Sequence, residues 1–319
     1  MSRECKVEHC YVPETACHLG EEDWKACPNW QAMADQKPDA QSRGATDAVL
    51  LPWTGNSLGS VDLPFLTGRS NPAIVGIVGA QKAGKTTLLA AWYLLLGKGM
   101  KVREHLCAGS YTFQGWENIA HSLRWEGHDG PTFPLHTSSG GGRLPGILHL
   151  AFRRNNSLAS DILFADAPGE WFTRWAINRD APDAVGARWV AEFSKVFLVV
   201  ADCESLAGEA RGRARSSLQL LLQRLAAERL QRPVALVWSK SDIEVPKDIR
   251  EAVTETAHRM IPGLTEFSVS VHPLSESAST VRSQHMELLE WALTQPQGGF
   301  KEFRAPITSR DPFFVYGRV

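Results

Sequence analysis

The sequence predicts an α/β protein, and three observations lead to this fold class. Residues 73–78 form a short apolar run rich in Val and Ile, typical of a buried strand, and the helix-forming residues 87–96 follow it after a turn with two glycines. Further strand-like apolar runs follow at residues 160–165, 195–202, 233–238 and 266–271. A helix is predicted between two of them, over Ser216–Leu230. With 319 residues, of which 43% are hydrophobic, the chain can form one large domain and a small additional segment.

The turn after the first strand carries the pattern G-x-x-x-x-G-K-[ST], which is typical of a phosphate-binding loop. Its residues, with the one that follows, are Gly79, Ala80, Gln81, Lys82, Ala83, Gly84, Lys85, Thr86 and Thr87. In such a loop the backbone N–H groups and the helix N-terminus point at one anion. We expect Lys85 to reach the β- and γ-phosphates of a nucleotide and the Thr86 hydroxyl to bind Mg²⁺. The alternative is a glycine turn that only begins a helix, but the flanking strand and helix favour nucleotide binding.

The second predicted strand runs into the turn Asp166-Ala167-Pro168-Gly169. An Asp at the carboxyl end of a strand can hold a water of Mg²⁺, and the N–H of Gly169 can meet an oxygen of the γ-phosphate. Taken alone, D-x-x-G is a common surface turn. After a phosphate-binding loop, it is a candidate part of the same site.

The fourth predicted strand ends in Ser239-Lys240-Ser241-Asp242, which is similar to the guanine signature [NT]-K-x-D. The carboxylate of Asp242 can accept hydrogen bonds from both the ring N–H and the exocyclic amine of guanine, whereas adenine offers no such pair of donors. The aliphatic part of Lys240 would lie along the ring. Ser239 stands where Asn or Thr is usual, so we expect a weaker bond bracing the loop. The alternatives are an ordinary polar loop and an ATP-using enzyme, and Asp242 argues against the second.

The order of these motifs over residues 71–295 resembles the translation-factor-like (TRAFAC) class of P-loop GTPases. The resemblance implies GTP or GDP with Mg²⁺ as ligands. It also implies a mostly parallel sheet with helices on both faces and an antiparallel edge strand, which we place at residues 147–154. In such proteins a loop after the fifth strand covers the base, and here that loop would include Ser270 and Val271.

Several shorter stretches resemble the double-GTPase group that is encoded in bacterial conflict and defence gene clusters. They are Leu51–Gly55, Gly109–Trp116 and Asp311–Phe314. This resemblance implies a nucleotide-dependent conformational switch that works with a protein partner, either a second GTPase or an effector.

The resemblance also requires a Thr that meets Mg²⁺ and the γ-phosphate, located before the edge strand. The segment from Cys107 to Leu144 offers three candidates. Thr132, in Gly-Pro-Thr-Phe-Pro, is most similar to the proline-flanked switch of the family, Thr137 lies closer to the strand, and Thr112 is the third.

Two positions bear on catalysis. Glu170 stands where small GTPases carry the Gln that orients the attacking water. Because a carboxylate is repelled by a triphosphate, we expect slow hydrolysis, or a scaffold that binds guanine nucleotides without hydrolysing them. Lys82 places a charge in the phosphate-binding loop that could act like an arginine finger, and the alternative is a solvated lysine.

Composition limits other functions. The formal net charge is −1 and no basic run is interleaved with aromatics, so nucleic acid is not an expected partner. The longest apolar run, Leu88–Leu96, is too short to span a membrane, and no secretory signal is found at the N-terminus. These features predict a cytoplasmic protein.

The cysteines are concentrated at the N-terminus. Four of the six are Cys5, Cys10, Cys17 and Cys27. In a reducing compartment such a cluster favours zinc over disulfides, and His9 or His18 could replace a Cys as ligand. The spacing lacks a C-x2-C pair, so a disordered or redox-active tail is the alternative. Cys107 and Cys203 are isolated and are expected to be packed thiols.

The predicted organisation has four parts. Residues 1–30 would form a small zinc-binding segment, residues 31–70 a linker that packs on the main domain, residues 71–295 the GTPase-like domain and residues 296–319 an aromatic tail that docks.

Overall fold

A computed structural model describes residues 57–59, 62–69, 71–124, 146–154, 159–271 and 278–295, together with residues 7, 17, 23 and 26–29. The chain divides into two compact units, Met1–Leu51 and Pro52–Val319. Cys27, in the first unit, is buried. Several predicted features lie outside the described residues, namely Cys5, Cys10, Thr132, Thr137 and the stretches 51–55 and 311–314.

The second unit is built on a seven-stranded sheet. In chain order its strands are β1 (Ala73–Gly79), β2 (His105–Gly109), β3 (Gly146–Arg154), β4 (Ser160–Asp166), β5 (Val196–Asp202), β6 (Val234–Ser239) and β7 (Thr265–Val269). Their spatial order is β2-β3-β4-β1-β5-β6-β7. Strands β4, β1, β5, β6 and β7 are parallel, and β3 is antiparallel to both of its neighbours. The predicted α/β fold with a mostly parallel sheet is therefore confirmed.

Helices cover both faces of this sheet. Among the described residues they are α1 (Leu63–Arg69), α2 (Lys85–Gly97), α3 (Phe113–Ala120), α4 (Gly169–Ile177), α5 (Val185–Phe193), α6 (Cys203–Ala207), α7 (Arg211–Glu228), α8 (Lys247–Met260) and α9 (Ala278–Thr294). Helices α2, α3 and α9 contribute to the hydrophobic core on one face, and α4, α5, α7 and α8 to the core on the other. Strand β1 serves both cores because alternate residues point to opposite faces, Ile74 and Val78 to one and Val75 and Ile77 to the other.

The placement of residues 147–154 at the edge of the sheet is wrong. They form an antiparallel strand, as expected, but β2 pairs with its outer side and is the edge strand of the described sheet. Strand β2 has five residues, three of which are exposed, and it has no alternation of apolar and polar residues. A strand of this kind is held by its pairing with β3, and its own sequence carries little signal.

Side chains replace strand pairing where β2 ends beside β3. The Thr112 hydroxyl accepts from the His149 backbone N–H at 2.9 Å, and the Trp116 indole N–H donates to the His149 carbonyl at 2.8 Å. The His149 ring lies 2.9 Å from the Asp161 carboxylate, and both residues are buried. Thr112 is fully buried in this network, which gives it a structural role and does not support it as the switch residue.

The isolated cysteines differ in their environments. Cys203 is buried, but Cys107 is exposed on β2, so the prediction of a packed thiol is wrong for Cys107. Within the described parts of the chain, no helix combines the length and apolar character needed to cross a membrane.

Candidate nucleotide-binding site

A cavity of about 530 Å³ opens at the carboxyl ends of the parallel strands. Ligands bind at this edge of open α/β sheets because the loops that follow neighbouring strands converge there. The predicted site residues that line it are Gln81, Lys82, Ala83, Gly84, Lys85, Thr86, Thr87, Gly169, Glu170, Ser239, Lys240, Asp242, Ser270 and Val271. The structure therefore brings together residues from the ends of β1, β4, β6 and β7.

The phosphate-binding loop has the backbone that its glycines allow. Gly84 has φ +87°, which other residues rarely adopt, and α2 begins at the next residue, Lys85. Lys82 also has a positive φ, 62°, although it is not a glycine. A left-handed non-glycine residue stores strain of about 1 kcal/mol or more, and such strain is concentrated at functional sites.

The Lys85 ammonium is held inside this loop. Its Nζ donates to the carbonyls of Gly79 at 3.1 Å and Ala80 at 2.9 Å. Burial lowers the pKa of Lys85 to about 8, while the negative charges of Asp166 and Glu170 act in the opposite direction. Because the Lys85 ammonium is largely shielded from solvent, it can interact directly with an anion that enters the loop.

The residues expected at Mg²⁺ contact each other. The Thr86 hydroxyl lies 3.1 Å from Oδ2 of Asp166, which joins the start of α2 to the end of β4. A hydroxyl and a carboxylate are hard oxygen ligands of the kind that Mg²⁺ prefers. The residues present therefore fit this ion.

The turn after β4 packs directly against the phosphate-binding loop. A Cβ atom on Gly169 would lie 2.2 Å from the backbone nitrogen of Gln81 and 2.4 Å from the carbonyl carbon of Ala80. No side chain fits in this space, so the contact requires glycine. Glu170 follows in the first turn of α4 and is exposed at the cavity.

Ser239, the last residue of β6, contacts both the phosphate-binding loop and the end of β5. Its hydroxyl lies 2.8 Å from the carbonyl of Ala83 and 3.2 Å from that of Ala201. A hydroxyl has one hydrogen, so it donates to one of these carbonyls at a time. The bracing bond that the sequence predicts to be weaker is thus present.

Two acidic residues hold the Lys240 ammonium, and no motif predicts either of them. Its Nζ lies 2.9 Å from Asp202 and 2.7 Å from Glu204. Burial lowers the pKa of Lys240, but the bonds to Glu204 and Asp202 outweigh it, and the pKa is raised. The sequence contains a signal for Asp202, because it ends an apolar strand as Asp166 does.

Glu204 also interacts with the phosphate-binding loop. Its pKa is lowered first by the hydrogen bond from Lys240 and, to a smaller degree, by the charge of Lys82. Lys82 is exposed at the cavity.

The expected base-reading carboxylate is held by a neighbour. The hydroxyl of Ser270 donates to Oδ1 of Asp242, and the Ser270 carbonyl accepts from Nε2 of His285 at 3.0 Å. His285, on α9, also lines the cavity. A single His in a helix gives no sequence signal of such a contact.

A cavity lined by a phosphate-binding loop and by a carboxylate after β6, with an Asp bonded to the Thr of that loop, is typical of the class of P-loop GTPases. The sequence profile of the family named Double-GTPase 2 matches residues 73–292. The chain belongs to the Double-GTPase 2 family. No protein of curated function matches the sequence.

Three solved structures that match the chain have low sequence identity to it. Roco2 of Methanosarcina barkeri, solved with GDP, is 14% identical, with a TM-score of 0.37 over 72% of this chain and 51% of its own. A variant of SsGBP is 14% identical, with a TM-score of 0.37 over 75% and 65%. Nucleolar GTP-binding protein 1 of Plasmodium falciparum is 11% identical, with a TM-score of 0.37 over 70% and 90%. The chain spans about half of the Roco2 chain.

Proposed function

We propose that this protein binds GTP and GDP with Mg²⁺ and hydrolyses GTP slowly, as a conformational switch in a bacterial multi-protein system of the conflict or defence type. The observation that carries the proposal is the convergence at one cavity of Lys85, the Thr86–Asp166 pair and the Ser270–Asp242 pair, where Asp166 reaches the cavity through its contact with Thr86. The first three residues suit a triphosphate with its metal ion, and Asp242 suits the donor pair of guanine.

The phosphate end works through charge that is already in place. The carbonyls of Gly79 and Ala80 hold the Lys85 ammonium in the loop, so an entering phosphate meets an ordered cation. Thr86 and Asp166 would hold Mg²⁺, which supplies positive charge to the β- and γ-phosphates. The backbone N–H groups at the start of α2 complete the anion site.

The base end works through fixed acceptors. Asp242 would accept from the ring N–H and exocyclic amine of guanine, with Ser270 fixing one of its oxygens. The aliphatic part of Lys240 would lie along the ring, because Asp202 and Glu204 hold its ammonium. Val271 belongs to the loop that would cover the base.

Hydrolysis would depend on Glu170, Lys82 and Thr132. Glu170 lies at the cavity after the Gly169 contact, where it would face the γ-phosphate and position water poorly. Lys82 would offset charge in the transition state. Thr132 would meet Mg²⁺ and the γ-phosphate and couple hydrolysis to a conformational change.

The second candidate function is a scaffold that binds guanine nucleotides without hydrolysing them. The carboxylate of Glu170 favours it, because no neutral amide stands at that position. Such a scaffold would retain the base and phosphate contacts and lack turnover.

Binding of fluorescent GDP and ADP to the full chain tests the base assignment. We expect Asp242→Ala to lose the preference for GDP over ADP, whereas Asp248→Ala, an exposed Asp at the start of α8, retains it. A preserved preference in Asp242→Ala would show that Asp242 does not read the base. Single-turnover hydrolysis of GTP then separates the switch from the scaffold.

The N-terminal Cys-rich segment and the C-terminal tail have separate proposed roles. Residues 1–30 would bind zinc through Cys5, Cys10, Cys17 and Cys27, with residues 31–70 as a linker and residues 296–319 as a docking tail for a partner. In the part of the linker that is described, Leu58 pairs with Ile147 of β3.

A further inference from the structure

We infer that His285 is a positioning residue that holds the base-reading carboxylate of Asp242 through Ser270. The inference rests on the proposed binding of guanine nucleotides and adds a residue from α9 to that site. His285 lies outside the motifs of the phosphate-binding and base-reading loops, yet it is 2% exposed and lines the same cavity.

Two hydrogen bonds connect His285 on α9 to Asp242 by way of Ser270. Nε2 of His285 lies 3.0 Å from the carbonyl oxygen of Ser270, and the hydroxyl of Ser270 donates to Asp242. A carbonyl only accepts, so Nε2 carries the hydrogen in this tautomer. Burial lowers the pKa of His285, which keeps the ring neutral at pH 7.

The ring of His285 has one polar anchor. Among the described residues, its Nδ1 is buried and has no hydrogen-bond partner. The orientation of the ring therefore depends on packing and on the bond from Nε2 to Ser270. A buried acceptor without a partner carries a free-energy cost, which is consistent with a site where geometry serves a ligand.

The backbone of His285 is anchored from the phosphate side. The indole N–H of Trp92, on α2, donates to the His285 carbonyl at 2.9 Å, and Trp92 is fully buried. Helix α2 begins at Lys85, in the phosphate-binding loop. The same two helices thus support the loop that would hold the phosphates and the carboxylate that would read the base.

The second of two bonds to guanine depends most on this support. A carboxylate that receives both the ring N–H and the exocyclic amine must keep its plane aligned with the edge of the base. Without the anchored Ser270, Asp242 can rotate and keep only one of the two bonds. Inosine nucleotides lack the exocyclic amine and need only the first bond, so they provide a direct comparison.

The experiment measures the affinities of the full chain for GDP and IDP. His285→Leu and His285→Asn remove the bond to Ser270 by different means, and His285→Gln keeps an N–H donor of similar reach. We expect the first two to weaken GDP binding about fivefold more than IDP binding, a factor typical of one hydrogen bond, and His285→Gln to restore most of the ratio. His149→Gln is the matched control, because His149 is equally buried but belongs to the network beside β2.

Three results would overturn the inference. Equal weakening of GDP and IDP binding in His285→Leu and His285→Asn would show a packing role only. Failure of His285→Gln to restore the wild-type ratio of GDP affinity to IDP affinity would lead to the same conclusion. Unchanged affinities for both GDP and IDP in a folded His285→Leu or His285→Asn variant would show no role at all. If the wild-type chain binds neither nucleotide, the proposed function fails first, and this outcome is distinct from a wild-type chain that prefers GDP while the His285 variants do not change.

Discussion

The hydroxyl of Ser239 lies 2.8 Å from the carbonyl of Ala83, although the two residues are 156 positions apart in the chain. This contact ties the loop after β6 to the phosphate-binding loop after β1. Since β5 separates these two strands in the sheet, the loops would otherwise be joined only through their neighbours. One side chain therefore links the loop that would hold the phosphates to the loop that would read the base.

Loss of this contact should weaken nucleotide binding. Ser239→Ala leaves the buried carbonyl of Ala83 without that donor and lets the two loops separate, so we expect GDP affinity to fall about tenfold. Ser239→Thr keeps the hydroxyl and should bind nearly as the wild type does. Ser241→Ala, two residues away, is the control, and titration calorimetry measures all three. Equal affinities for Ser239→Ala and the wild type would show that the contact does not set the site geometry.

The shape of the glycine-containing loop after β1 could be predicted from the sequence because its geometry is local. The loop from Gly79 to Thr86 has a backbone set by its own residues, including the left-handed Gly84. The placement of Asp166 needed only a strand followed by a turn. The order of the motifs predicted the parallel sheet, which places their loops at one edge.

The features that were missed depend on contacts between distant residues. His285 lies 15 residues after Ser270 and 193 after Trp92, and no local pattern marks a helix residue that meets both. No motif in the sequence marks Glu204. It gains its role only from its contact with Lys240, 36 residues away. Strand β2 exists because β3 offers it an edge.

Nucleotide affinity should depend on pH through Lys85. Burial lowers its pKa from 10.5 to about 8, so the free protein loses this positive charge as the pH rises above about 8. A bound phosphate favours the protonated form, and binding above this pH must take up a proton. We expect Lys85 to have little effect on the pH dependence of GDP affinity below pH 7, and the affinity to fall by up to about tenfold per pH unit above pH 8. Calorimetry at pH 8.5 in buffers of different ionisation enthalpy would measure the proton uptake.

The same shift has the opposite effect on the stability of the free protein. Between about pH 8 and 10.5 the unfolded chain keeps the Lys85 proton that the folded chain has lost. The contribution of Lys85 to the free energy of unfolding therefore rises with pH in this range.

For the affinity prediction, a GDP affinity that does not change between pH 7 and 9, without proton uptake, would contradict the role given to Lys85.

The Cys-rich segment of residues 1–30 should bind stoichiometric zinc. Cys10→Ser would remove one of four thiolates, so we expect its zinc content to fall well below that of the wild type. Cys107→Ser changes an exposed, isolated thiol and should leave zinc unchanged. Elemental analysis of protein purified without added metal gives the answer. A wild-type protein with free thiols and no zinc would rule out the site.

Lys82 should act in the chemical step more than in binding. Lys82→Asn removes its charge with a residue that tolerates the left-handed backbone found there. We expect single-turnover GTP hydrolysis to fall at least about tenfold, which corresponds to about 1.4 kcal/mol, while GTP affinity changes little. Lys98→Asn, beyond the far end of α2, is the control. Equal losses in affinity and rate would instead make Lys82 a ground-state phosphate contact, and no loss in either would make it a solvated lysine.

Glu170 should limit the rate of hydrolysis in the wild type. Its carboxylate is exposed at the cavity, one residue after the Gly169 contact with the phosphate-binding loop. Glu170→Gln removes the negative charge and keeps the size of the side chain, so repulsion from the triphosphate is lost and an amide becomes available to orient water. We expect faster single-turnover hydrolysis of GTP with little change in GDP affinity. Slower hydrolysis would mean that Glu170 itself positions the water, and the scaffold interpretation would then lose its main support.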